Sequence, residues 1–251
     1  MRKVALVTGA SAGLGVEFAR QLSKRGHSLV LAARRKERLE KLAVELGNAR
    51  AVAIDLSKKD ASAKLMADLT ANGEVVELLI NNAGFGLIGK FAKADSKRLR
   101  QMIDLNAGTL TDLCRAVVPG MVERKAGGII NVASIAAFQP GPKMAVYFAT
   151  KALVLSLSEA LHEELKPHGV HVTCLCPGPT RTEFGEVAGF RGNGMFEWVA
   201  MDAPEVVEAG LKGLDKNKAV VVPGLLNKIT ANGGRFAPRS FVRKIAGAIK
   251  Y

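Results

Sequence analysis

Val4-Ala5-Leu6-Val7-Thr8-Gly9-Ala10-Ser11-Ala12-Gly13-Leu14-Gly15 decides the fold. Four apolar residues in a row read as a strand buried on both faces, the habit of parallel strands. The glycines that follow read as a tight turn, and a helical pattern then runs through Arg25. Strand, glycine-rich turn and helix in that order make a dinucleotide cradle. Gly9 permits the turn, Gly13 lets backbone approach a pyrophosphate, and Gly15 lets helix and strand pack closely. Phosphates there meet free N–H groups, with Ser11, Ala12 and Leu14 in the same turn, at the positive end of the helix dipole.

Working outward, strands are expected near 3–8, 27–33, 50–55, 77–81, 128–133, 170–175 and 219–222. Helices fill the intervals, the longest near 97–123 and 145–166. Such alternation implies a parallel sheet with right-handed crossovers and helices on both faces. Gly/Pro-marked stretches at 177–194 and 223–238 read as loops within one unit. The expected organisation is a catalytic nucleotide-binding domain over 1–225 and a basic amphipathic extension over 226–251.

The second strand, Leu29-Val30-Leu31-Ala32-Ala33, ends in Arg34-Arg35, where NAD enzymes carry an acid about 20 residues beyond the glycines. A guanidinium there can take an adenosine 2′-phosphate bidentately and stack on adenine, so the pattern favours NADP, with Arg34 nearest the strand end. The competing reading makes Arg35, Lys36 and Arg38 an ordinary charged helix face.

Tyr147 and Lys151 stand one helical turn apart and so share a face, and Ser134 lies thirteen residues before the tyrosine. A free phenol titrates near about 10, too high for easy proton exchange at neutral pH. A neighbouring ammonium is expected to lower it. With a hydride donor opposite, the three side chains would make a general-acid device for reducing a carbonyl.

Thr-Gly-x-x-x-Gly-x-Gly at 8–15, Asn81-Asn82-Ala83-Gly84, Ser134, Tyr147-x-x-x-Lys151 and Pro177-Gly178 together resemble the short-chain dehydrogenase/reductase family, in order and spacing over roughly residues 1–225. The resemblance implies an α/β, single-domain Rossmann fold with a seven-stranded, mostly parallel sheet. It also implies NAD or NADP and a Ser134, Tyr147, Lys151 and Asn106 catalytic set. Asn106 would interrupt a helix and hold a water leading to Lys151. By the same resemblance Asp55 meets the adenine amino group with Leu56 beside it, although Asp55 could equally cap a helix. Asn82, Ala83 and Gly84 line the adenine ribose. Pro177, Gly178 and Thr180 bond the nicotinamide carboxamide. Tyr147 and Lys151 also contact the cofactor, Lys151 through the ribose hydroxyls. Phe85, Leu87, Ile88, Ile135, Ala136, Gln139 and Phe184 are placed at the substrate, under a lid between Thr182 and Trp198 that carries Phe190, Phe196, Gly192 and Gly194. These residues suggest an apolar ketone, alcohol or acyl substrate. A 3-oxoacyl-carrier reductase and a non-catalytic NADP sensor are the alternatives. A cytoplasmic homo-oligomer, dimer or tetramer, is expected.

Composition excludes more than it selects. The 251 residues suit one α/β domain with a well-buried core. The three cysteines suggest a reducing compartment. Cys174 and Cys176 face one side of a strand as small core residues; no metal site is expected. Met1-Arg2-Lys3 running into the first strand argues against a signal peptide, and no apolar stretch is long enough to span a membrane. Net charge is +13, and residues 211–251 hold nine Lys/Arg against Asp215 alone. Phe241, Val242, Ile245 and Ile249 recur there at helical spacing among Arg239, Arg243, Lys244 and Lys250. That segment reads as a helix packed on the body or a subunit, with contact to an anionic membrane surface or an acidic carrier as competing readings. Nucleic acid is not expected, since no recognition motif occurs.

Overall fold

A computed structural model describes residues 1–189, 199–234 and 238–248. In chain order the elements begin with β1 (Arg2–Thr8), α1 (Gly13–Lys24), β2 (Leu29–Ala33), α2 (Lys36–Leu46), β3 (Ala49–Ala53), α3 (Ala61–Ala71) and β4 (Glu74–Asn81). There follow α4 (Ser96–Ile103), α5 (Leu110–Arg124), β5 (Gly127–Val132), α6 (Ala145–Leu165), β6 (Val170–Leu175), α7 (Phe184–Ala188), α8 (Ala203–Asp215), β7 (Val220–Val221), α9 (Leu225–Gly233) and α10 (Arg239–Ala248). All seven strands are parallel, in the order β3-β2-β1-β4-β5-β6-β7.

Strand alternation builds a core on each face. Val4 and Leu6 join Leu65, Leu79, Leu113, Ile129 and Val154 on one side. Ala5 and Val7 join Phe18, Leu22, Leu31, Ile80 and Leu211 on the other. A buried polar seam crosses the sheet centre: Asn81 Nδ2 donates to Asn131 Oδ1 at 2.9 Å, and Asn131 Nδ2 donates to Ser158 Oγ on α6 at 3.0 Å. The order reverses between β1 and β4, so the crevice at the strands' carboxyl ends opens there.

Several expected boundaries move for identifiable reasons. β2 starts at Leu29, since Gly26, at φ +84, turns the chain just before it. β4 reaches back to Glu74, whose buried carboxylate is gripped by Arg2 and by Arg50 at 2.6 Å. A charged residue can open a strand once its charge is paired. The single helix expected near 97–123 is two, α4 and α5, joined by a π-helical turn over Asp104–Thr109. The stretch 223–238, expected as loop, contains α9. Buried Asn227 donates to Pro223 O at 2.8 Å and anchors its start. The expected boundary between 225 and 226 falls inside this helix.

Of the expected lid, Phe190, Gly192, Gly194, Phe196 and Trp198 lie outside the described residues, as do Ile249 and Lys250. Among the described residues no helix is long and apolar enough to cross a membrane.

Candidate active site

The glycine-rich turn is shaped by contacts that exclude side chains. Gly9 has φ +68 and Gly13 φ +54, a backbone region that L-residues other than glycine rarely adopt. A Cβ on Gly15 would sit 2.2 Å from Gly9 O. α1 opens at Gly13 with Ala12 as its extended N-cap, no side-chain cap and no acid in its first turn. Its first N–H groups, half-buried Leu14 among them, are left for a ligand. This cradle fits a pyrophosphate on the chain's own geometry.

Asn82 locks the neighbouring wall. Its Nδ2 donates to Thr8 O at 3.0 Å and Gly9 O at 3.3 Å. Thr8 Oγ1 accepts from Asn82 N and Ala83 N, each at 3.0 Å. Gly84 follows under Asn106, whose Oδ1 lies 3.0 Å from where a Cβ would be. The turn at 81–84 is therefore a clamp that joins the ends of β1 and β4.

At the far end of the cradle the arginines divide differently from expectation. Arg35, not Arg34, reaches the turn, donating to Ser11 Oγ at 3.1 Å and Ser11 O at 3.2 Å. Arg34 is exposed and acts as a nearby charge that helps hold Asp55 below its usual value. Asp55 Oδ1 accepts from Ser57 N at 3.0 Å and Ser57 Oγ at 2.7 Å, a local turn cap. Burial opposes that lowering and is the largest single influence on Asp55. Leu56 is buried, and its carbonyl accepts from Thr109 Oγ1 at 2.7 Å. Glu183, just before α7, bridges Arg35 at 2.9 Å and Arg38 at 2.7 Å.

The reacting end lies at the carboxyl end of β5. Tyr147 and Lys151, in the first two turns of α6, are both buried. Lys151 Nζ donates to Val132 O at 2.7 Å and sits 5.8 Å from the Tyr147 ring centroid. Ser134 caps the short 3-10 turn Ile135–Phe138, accepting from Ala136 N at 3.1 Å. Its hydroxyl also donates to Pro177 O at 3.4 Å, and it acts to lower the pKa of the Tyr147 phenol. Asn106 lies in the π turn, a local break in α-helical pairing common at functional sites. Its Oδ1 accepts from Phe85 N at 3.0 Å; its Nδ2 donates to Phe85 O at 2.9 Å and Thr150 Oγ1 at 3.2 Å. It thus ties the 84–85 loop to α6.

One electrostatic expectation is reversed. Burial pushes the Tyr147 phenol up to about 12, and the Ser134 hydroxyl recovers only part of that rise. Burial also brings Lys151 down to about 8. Burial weighs more than the neighbouring ammonium because both groups are desolvated together and Lys151 is directed at a backbone carbonyl.

Around Tyr147 the surface is apolar. Met102, Ala136, Met144 and Phe148 pack with it, joined by Phe85, Leu87, Ile88 and Phe184. The Phe184 and Tyr147 ring centroids are 5.6 Å apart. Ile135 and Gln139 are half-buried on either side of the Ala136 turn. Pro177 and Gly178 face Ser134 and Asn227: a Gly178 Cβ would meet Asn227 Oδ1 at 2.1 Å. Thr180 Oγ1 donates to Gly178 O at 3.0 Å. Cys174 and Cys176 are buried with their Sγ atoms 3.6 Å apart, and no metal-ligating cluster occurs among the described residues.

Sequence reasoning missed Thr182, Thr150 and Glu183. Thr182 Cβ would lie 3.1 Å from a Cβ on Gly13, which places Thr182 over the phosphate cradle. Its place two residues after Thr180 was the available signal.

Comparison with known proteins agrees with this geometry. The family model described as short chain dehydrogenase matches residues 3–189. The NADP-dependent 3-hydroxy acid dehydrogenase YdfG of Salmonella typhi is 40% identical over 193 residues, 76% of this chain and 77% of that protein. A short-chain dehydrogenase from Sphingobium yanoikuyae, solved in complex with NADPH, superposes with TM-score 0.83 at 34% identity, covering 100% of this chain and 99% of its own. The bulky-bulky ketone specific alcohol dehydrogenase of Comamonas testosteroni superposes with TM-score 0.80 at 31% identity, covering 100% and 97%. Glycine cradle, Asn clamp, the buried Tyr147 and Lys151 beside Ser134, and sheet order thus converge with the matched sequence: the chain belongs to the short-chain dehydrogenase family.

Proposed function

We propose that the chain is an NADP-dependent oxidoreductase that interconverts a carbonyl and a secondary alcohol. The observation that carries this reading is the burial of Tyr147 and Lys151, with Ser134, in one apolar recess whose loop 84–85 continues from the nucleotide cradle. NADPH, when bound, supplies the hydride. Ser134 donates to the substrate oxygen and holds it against Tyr147. Tyr147 releases its proton to that oxygen as negative charge develops there. Its raised pKa keeps the phenol protonated at neutral pH, and the alkoxide it meets is a stronger base than a phenolate. Lys151 would hold the ribose hydroxyls of the bound nucleotide, and Asn106 keeps the 84–85 loop and α6 in register while the proton is resupplied. The NADPH-bound Sphingobium relative and the NADP-dependent Salmonella relative support the choice of cofactor. The three free, buried cysteines accord with a reducing, cytoplasmic setting.

The experiment is to follow loss of nicotinamide absorbance with NADPH and a panel of ketones and 3-oxoacyl thioesters. Tight NADPH binding with no turnover across the panel would replace this reading by a non-catalytic sensor.

Two predictions arise at the ribose end. Arg35→Ala raises the NADPH dissociation constant by about 10-fold or more and leaves NADH within a few-fold, the loss of a charge-assisted phosphate contact. Equal effects on both nucleotides would contradict the assignment. Glu183→Gln frees Arg35 and Arg38 from a competing carboxylate, so NADPH binds several-fold more tightly while NADH is little changed. Titration calorimetry reads both, and weaker NADPH binding in Glu183→Gln would make the bridge an organiser rather than a competitor.

A third concerns pH. Lys151, lowered to about 8 by burial, is an ammonium below that value and neutral above it, whereas an exposed lysine would stay charged to about 10. kcat/KM for NADPH, which reports the free protein, is therefore flat below pH 8 and falls above it. A profile level to pH 10 would mean that Lys151 stays charged or that its charge is not used.

A further inference from the structure

The apolar recess beside Tyr147 has a charged mouth. The cleft measures about 280 Å³ and is walled by Leu87, Ile88, Leu99, Met102, Met144 and Val146, with Tyr147 among its lining residues. Lys90, Lys93, Arg98 and Lys143 also line it, and Asp95 is its one acid. Asp95 is already engaged, accepting from Lys97 N at 2.8 Å as the N-cap of α4.

Some cations elsewhere on the molecule are neutralised locally. Arg20, Arg25, Arg35, Arg38 and Lys212 each pair with a carboxylate. Among the described residues none of the four at the mouth has such a partner. Arg98 is nevertheless held in place, its guanidinium 4.7 Å from the Phe85 ring centroid and donating to Gln101 Oε1 at 3.1 Å. Lys143 adopts φ +68, where glycine would rest without strain, and the chain keeps a lysine there. Its carbonyl accepts from Gly89 N at 2.9 Å, which fixes one side of the mouth to the other. Arg35, which meets the glycine turn, and Arg38, which shares Glu183 with it, are not among the residues lining this cleft.

Like charges around a low-dielectric cleft focus a field that draws in an anion, and a neutral ketone gains nothing from it. We infer that the reacting molecule is an amphiphilic anion: an apolar body fills the cleft against Tyr147, and a carboxylate or phosphate at the mouth is read by Lys90, Lys93, Arg98 and Lys143. This rests on the oxidoreductase reading above and narrows its substrate class to hydroxy and oxo acids or their phosphate counterparts. The reaction stays balanced as before: hydride passes between carbinol carbon and nicotinamide, and the proton passes through Tyr147.

The test is run in the oxidative direction with NADP. Hydroxy acids with increasing separation between hydroxyl and carboxylate are compared with their methyl esters and with hydroxyalkyl phosphates of matched length. At one spacing or more, kcat/KM for the anion exceeds that for the ester by about 10-fold, the sum of several exposed charge contacts, and the advantage shrinks at high salt. Preference for acid over phosphate, or the reverse, assigns the anion. In the triple variant Lys90→Gln, Lys93→Gln, Lys143→Gln the anion-to-ester ratio falls about 10-fold towards unity. The ester rate of the same preparation serves as the folding control. Esters turned over as well as anions at every spacing, or a ratio unmoved in the variant, overturns the inference. Turnover of neutral alcohols and esters alone overturns it while leaving the oxidoreductase reading intact; turnover of nothing removes both.

Discussion

Tyr147→Phe is expected to lower kcat for carbonyl reduction by about 10²–10⁴-fold while NADPH affinity stays within a few-fold. The substitution keeps the ring that packs at 5.6 Å on Phe184 and 6.1 Å on Phe148, and deletes one buried hydroxyl. That hydroxyl interacts with Ser134, which retains Pro177 O and the Ala136 N–H as partners, so no buried polar atom is stranded. Folding is therefore spared, and the loss falls on proton transfer. Stopped-flow reduction with an active ketone, beside NADPH titration by fluorescence, separates the two. Activity within tenfold of the parent would remove Tyr147 from the proton path and make the burial of its phenol a packing feature.

Gly15→Val is expected to abolish measurable NADPH binding and to cost about 3 kcal/mol of stability, the upper range for forcing volume into a packed site. For a domain of this size that is a fall in Tm of roughly 6–12 °C. The obstacle is backbone: the first added carbon would lie 2.2 Å from Gly9 O and 2.7 Å from Asn82 Nδ2. Either α1 withdraws from β1 or the turn opens, and both displace the N–H groups meant for phosphate. Gly26→Ala is the control. It too alters a glycine, at φ +84, but a Cβ there meets nothing within 4 Å. It should cost only the left-handed backbone penalty, about 1–2 kcal/mol, with binding intact. Calorimetric melts and NADPH titration of both variants check the pair. Equal behaviour would mean that the close approach of α1 to the turn at Gly15 is not what nucleotide binding requires.

The elements legible in the residues are those whose pattern has one physical explanation. An unbroken apolar run such as Leu29–Ala33 can only be buried on both faces, and the one-turn spacing of Tyr147 and Lys151 can only place them together on a helix. What stayed hidden depends on partners distant in the chain. Nothing near Glu74 announces Arg2 and Arg50, which let a carboxylate enter β4. Nothing near Arg35 announces its bonds to Ser11 and Glu183. Asn106 was placed in a helix interruption by family resemblance, while the form of that interruption, a π turn, follows from its bonds to Phe85 and Thr150. The phenol's shift had the wrong sign because an i,i+4 ammonium is visible in a sequence and burial is not. The ring of cations at the cleft mouth is likewise assembled from two separated segments, 90–98 and 143.

The account rests on hydride passing between a nicotinamide held by the glycine cradle and a carbon held against Tyr147. Turnover of a ketone with NADPH deuterated at the transferable C4 position, with the alcohol analysed by mass spectrometry, tests this directly. The predicted result is one deuterium on the carbinol carbon, from one face of the ring only, and none in product formed from the unlabelled nucleotide in heavy water. Alcohol produced without that label, or carrying a solvent-derived deuterium on the carbinol carbon itself, would contradict it.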